Sequence, residues 1–104
     1  MNGQPLSQTL DPTAPLWREV VIVNPQGLHM RPATAFAKRA RAFASNVVVR
    51  REDQRANGKS QMELLLLAAE PGTRLIVEVF GPDAELALEP LAEILAAVDA
   101  LDDD

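Results

Sequence analysis

The sequence has 104 residues, 47% of them apolar and 24% charged, which is one domain with a modest two-layer core. A formal net charge of −5 argues against a nucleic-acid backbone as the main partner. The absence of cysteine removes disulfides, thiolate nucleophiles and zinc ribbons, and it fits a cytoplasmic setting.

The opening MNGQPLSQTLDPTAPL has neither a basic start nor an apolar run, so it is not a secretory signal. Its prolines and polar spacing predict a disordered extension over residues 1–16. Trp17 is expected to pack where order begins. WREVVIVN, residues 17–24, then has the β-branched content of a first strand.

A loop through Gly27 leads to a helix from Pro32 to Phe43. Phe36, Ala40 and Phe43 form its apolar stripe, and Lys38, Arg39 and Arg41 point elsewhere. NVVVRR is the second strand, REDQR turns the chain, and a short third strand ends near Ala56. Ser60 and Glu63 have the spacing of a capping box, so Ser60 should open a second helix that Pro71 and Gly72 end.

RLIVEVFG is the fourth strand. Asp83 is positioned to cap a last helix reaching about Leu101, with Leu91, Ile94, Leu95, Val98 and Leu101 buried. Pro90 conflicts with that helix at a cost of about 3 kcal/mol, so a kink or a late start is expected. The domain is predicted over residues 17–101, followed by an acidic tail, 102–104. The order βαββαβα makes this an α+β fold with an antiparallel or mixed sheet covered by helices on one face. The apolar run 64–69 is too short to span a bilayer, so no membrane insertion is expected. The small domain is expected to be a monomer.

Charge is unevenly distributed. Arg31, Lys38, Arg39, Arg41, Arg50, Arg51, Arg55 and Lys59 lie in the first two-thirds, whereas Glu85, Glu89, Glu93, Asp99 and Asp102 to Asp104 load the end. The one histidine, His29, sits in GLHMRP within the basic part. A lone histidine is more often an ordinary surface or core residue than a functional one, so its neighbours have to argue otherwise.

They do so through electrostatics. Gly27 permits a tight turn, Leu28 can anchor the loop, and Pro32 suits a first helical turn, which puts His29 at a helix N-terminus. Free amides and the positive helix end favour an anion there, and Arg31 adds a guanidinium fork for phosphate oxygens. The same field favours the uncharged, nucleophilic ring, so the site suits reversible phosphorylation. No second histidine or cysteine is available for a metal site, and nucleophile-elbow, GxGxxG and Walker patterns are missing.

GLHMRPA, followed 31 positions after the histidine by Ser60 within NGKSQMELLLLA, resembles the HPr family, the histidine-containing phosphocarriers of the bacterial phosphotransferase system. The resemblance runs from about Glu19 to about Val98. It implies an open-faced β-sandwich, with four antiparallel strands and three helices on one face. It further implies that Nδ1 of His29 accepts a phosphoryl group from enzyme I, charged by phosphoenolpyruvate, and passes it to an enzyme IIA domain, with Arg31 steadying the phosphate. No cofactor or metal is implied, and the protein would relay phosphate rather than act as a self-contained enzyme.

By the same resemblance, Ser60 matches the position modified by HPr kinase/phosphorylase where that regulator exists, although a helix cap explains a serine there equally well. Met62 and Leu65, with Lys38, Arg41 and Lys59 around them, correspond to the family's docking surface, and Gln61 departs from the large apolar residue usual after the serine. Two alternatives remain beside the carrier. One is a regulatory HPr-like protein that binds partners, and the other is a plain ferredoxin-like interaction module.

Overall fold

The computed structural model describes residues 14–97. Seven elements follow in the order β1 (Leu16–Val21), α1 (Met30–Arg41), β2 (Asn46–Arg51), β3 (Gln54–Asn57), α2 (Gln61–Leu66), β4 (Arg74–Phe80) and α3 (Ala84–Ala96). All strand pairs are antiparallel, in the spatial order β1-β4-β2-β3. The predicted α+β class and element order are both present.

Alternation along the strands decides which face carries the helices. Val20, Val47, Val49, Ala56, Leu75, Val77 and Val79 are buried on one face against Phe36 and Ala40 of α1, Leu64 of α2, and Leu91 and Leu95 of α3. Each fully buried Leu, Val or Phe contributes roughly 1.5–3 kcal/mol relative to exposure. The other face is left open, which makes this the sandwich that the family resemblance implied. Gly58 is part of that packing, because a Cβ there would lie 2.4 Å from Cγ1 of Val47.

Trp17 is 61% exposed on the open face, opposite Glu78, so it does not pack at the junction as expected. Its parity is the reason: Leu16, Arg18 and Val20 point to the helices, and Trp17 therefore points away. β1 starts at Leu16 and ends at Val21, shorter than the predicted run to Asn24, because Asn24 opens the turn that follows.

Several element ends also differ from expectation. α1 begins two residues early, at Met30, and stops at Arg41, leaving Phe43 half-buried beyond it. α2 stops at Leu66, well before Pro71. Ala68 has φ +53, and the Nη1 of Arg51 donates to the Leu67 carbonyl at 2.8 Å, which satisfies an acceptor at the end of that helix.

α3 starts at Ala84 and runs through Pro90, which rules out the late start. The carbonyl that loses its bond belongs to Leu86, whose side chain is exposed. Asp83 occupies the cap position of α3 without capping it, because its carboxylate is bonded to Ala44 and Ser45 instead. The extension over residues 1–13, the buried positions proposed for Val98 and Leu101, and the tail 102–104 lie outside the described residues.

Candidate functional site

The loop bearing His29 is anchored before the histidine is reached. The Asn24 side chain accepts from the Gln26 amide at 2.9 Å, and its carbonyl accepts from the Gly27 amide at 2.8 Å, an Asx-type turn on a buried asparagine. Gly27 has φ +71, and a Cβ on it would stand 2.6 Å from the Ala69 carbonyl oxygen. Only glycine meets both conditions. The Leu28 amide donates to that same carbonyl at 2.9 Å and its side chain is buried, which is the anchoring expected of it.

His29 is the N-cap residue of α1, with an extended backbone (φ −101, ψ −168), and its carbonyl accepts the first helical bond from the Ala33 amide at 3.1 Å. Its own amide donates to the Gly27 carbonyl at 3.1 Å. The ring makes no capping bond and is half-buried, so it is available to a reactant.

Helix geometry leaves the amides of Met30 and Arg31 without intrahelical acceptors, and Pro32, third in the helix, has no N–H to offer. Two free donors therefore stand directly after the histidine. The first turn contains no acidic residue. Arg31 is exposed and takes part in no ion pair among the described residues.

α2 brings the second predicted position alongside. Ser60 is its N-cap, and the hydroxyl oxygen accepts from the Glu63 amide at 3.1 Å. The reciprocal half of the capping box is absent, because the Glu63 carboxylate accepts instead from the Asn57 amide at 2.8 Å, while the Ser60 amide donates to the Asn57 carbonyl. The next residue, Gln61, places its side-chain amide against Sδ of Met30, joining the beginnings of α1 and α2.

The apolar side chains of α2 differ in exposure. Met62 is 69% exposed and Leu66 72%, whereas Leu65 is partly buried against the core. Met62 and Leu66 are four apart and share a helix face. Met30, 58% exposed next to His29, extends the apolar surface and escaped the sequence analysis altogether.

The basic positions divide in the same way. Lys59 is half-buried, and its Nζ donates to the Phe43 carbonyl at 2.8 Å. Arg41 is exposed and donates to the Lys59 carbonyl at 3.0 Å. Both tie the end of α1 to the start of α2. Lys38 does not join them; it lines the groove between α1 and α3.

The family model described as the PTS HPr component phosphorylation site matches residues 16–97. The chain belongs to the PTS HPr family. It is 39% identical over 80 residues to the phosphocarrier protein HPr of Neisseria meningitidis serogroup B, covering 77% of this chain and 90% of that one. It is 35% identical over 82 residues to the HPr of Haemophilus influenzae, covering 79% of this chain and 96% of that protein.

A multiphosphoryl transfer protein of Xanthomonas campestris is 39% identical over 82 residues, and there the match spans 10% of the longer chain. The crystal structure of HPr from Bacillus anthracis superposes with a TM-score of 0.74 at 32% identity, covering 79% of this chain and 98% of that one. As an HPr-family member, the chain is a phosphocarrier of the phosphotransferase system. Among its described residues no helix is long and apolar enough to cross a membrane.

Proposed function

We propose that His29 is the residue that carries the phosphoryl group, received from phospho-enzyme I and delivered to an enzyme IIA domain in the cytoplasm. The observation that carries this reading is the position of the ring at the N-cap of α1, uncommitted to any capping bond and followed by the two free amides. An in-line attack by Nδ1 forms the new N–P bond as the donor's phosphoryl bond breaks, with no covalent help required from other residues.

The incoming dianion meets the amides of Met30 and Arg31, the positive end of α1 and the Arg31 guanidinium. One exposed arginine and two amides stabilise the phosphate only moderately, and this matters in a carrier. Strong stabilisation of the phosphohistidine would lower the free energy available for the next transfer.

Docking on both partners uses Met30, Met62 and Leu66, with Arg41 and Lys59 at the edge and Lys38 further along α1. Ser60 acts first as the cap of α2. A phosphate attached there by HPr kinase/phosphorylase would displace the Glu63 amide from the oxygen and place a dianion on this docking face.

The test is incubation with enzyme I and radiolabelled phosphoenolpyruvate. The proposal expects one acid-labile, alkali-stable label per chain, recovered on the peptide containing His29. An unlabelled chain, or label on another residue, would overturn it.

A further inference from the structure

The sequence holds three methionines and no cysteine, so the sulfur it offers to an oxidant is thioether sulfur. Methionine ordinarily fills irregular gaps in a core. Here the core is closed with alanine, valine, leucine, isoleucine and phenylalanine, and neither methionine of the described residues belongs to it. Met30 and Met62 are both exposed over more than half of their surface.

Their places in the fold are not scattered. Met30 opens α1 directly after His29, and Met62 is the second residue of α2, just past the Ser60 cap. Gln61 connects them, because it precedes Met62 in the chain and its side-chain amide lies against Sδ of Met30. Leu66, one turn beyond Met62, completes the apolar docking surface proposed above. Two of its three members therefore carry an oxidisable atom.

A thioether is apolar and accepts hydrogen bonds weakly. A sulfoxide is polar and chiral, and its formation disrupts methionine-rich interfaces. On Met62 the added oxygen would be stripped of water by a docking partner with nothing to replace it. On Met30 it would sit directly beside the histidine that has to meet a dianion, where the Gln61 amide can donate to it in the free protein. Both effects favour the free protein over the complex.

We propose that Met30 and Met62 form an oxidation-sensitive pair, which a peroxide converts to sulfoxides with loss of affinity for enzyme I. In each step a sulfur lone pair attacks one peroxide oxygen, and the S–O bond forms as the O–O bond breaks. The other oxygen takes up the proton of the first and leaves as water. Sulfur loses two electrons and the peroxide gains them. Reversal takes a methionine sulfoxide reductase and an external dithiol, since the chain has no thiol of its own. The loss of affinity rests on the docking surface proposed above; the oxidation itself does not.

The experiment treats the folded full chain with dilute hydrogen peroxide. Peptide mass mapping is expected to find one added oxygen atom on Met30 and one on Met62, at rates close to those in the urea-unfolded chain. The Kd for unphosphorylated enzyme I, measured by calorimetry, is expected to rise about three- to tenfold and to return after incubation with the reductase and dithiol. Met30→Leu/Met62→Leu, compared with its own untreated sample, should keep its Kd. Oxidation that requires unfolding, an unchanged Kd after full conversion, or an equal loss in the double variant would each overturn the proposal. The absence of any complex between enzyme I and the untreated chain would overturn it together with the docking surface. Calorimetry needs no phosphoryl transfer, so failure of His29 to accept phosphate leaves the comparison intact.

Discussion

The Ser45 hydroxyl donates to the Asp83 carboxylate at 2.5 Å, and the Asp83 amide donates back to the same hydroxyl oxygen at 3.0 Å. The amides of Ala44 and Ser45 donate to the two carboxylate oxygens, each at 2.9 Å. This pair closes the turn between α1 and β2 onto the start of α3. Ser45 is fully buried, and Gly81 is needed beside it, because a Cβ there would stand 2.7 Å from the Ser45 backbone.

The bond from the Ser45 hydroxyl, followed by that from the Ala44 amide, holds the Asp83 carboxyl below its ordinary value of 3.8. A depressed carboxyl stabilises the fold above the unfolded-state value and loses that contribution as pH falls through the folded one. Asp83→Asn should therefore melt below the wild type at pH 6, with the gap narrowing as pH falls from about 5 towards 2. Thermal melts across that range check it, and a gap that widens in acid would contradict it.

Gly27→Ala should damage both stability and phosphate uptake. The positive φ costs about 1–2 kcal/mol for a side-chain-bearing residue, and the added Cβ drives the Ala69 carbonyl away from the Leu28 amide. Urea midpoints should fall, and the rate of phosphorylation should drop in protein that is still folded. An unchanged rate would mean that the loop does not position the histidine.

Leu66→Ser and Leu65→Ala separate docking from packing. The exposed Leu66 should cost within about 0.5 kcal/mol of stability and raise the KM for enzyme I. Leu65, which packs on the core, should destabilise by about 1–3 kcal/mol when truncated to alanine, with a smaller effect on KM in the folded fraction. Denaturant melts and steady-state uptake on both variants decide it, and the reverse pattern would assign the docking contact to Leu65.

Ser60→Ala should lose about 1 kcal/mol through the missing cap, and Ser60→Asp should retain most of it, because aspartate caps equally well. Equal stability of the two variants in urea would show that the hydroxyl's bond to the Glu63 amide contributes little.

The contrast between legible and hidden features has a physical basis. NVVVRR was readable to the residue as β2 because β-branched alternation and the following turn agree. GLHMRP placed His29 at a helix start because glycine and proline act through the local backbone. The side-chain cap expected of Asp83 is not formed because its partners, Ala44 and Ser45, are 39 and 38 residues away in sequence, and no local pattern reveals a contact at that separation. A run of four leucines has no phase of its own, so the sequence does not show that Leu66 is exposed while Leu65 is partly buried. Lys59 and Arg41, which the resemblance places around the docking surface, are both bonded to carbonyls across the α1–α2 junction, contacts that no local pattern reveals.

The central claim concerns a half-buried imidazole at the N-cap of α1 with two free amides behind it. Phosphoryl relay from phosphoenolpyruvate through enzyme I to an enzyme IIA domain, measured with His29→Ala in place of the wild type, tests it most directly. The account predicts that the variant melts near the wild-type temperature and relays no phosphate. Sustained relay by the folded variant would contradict it.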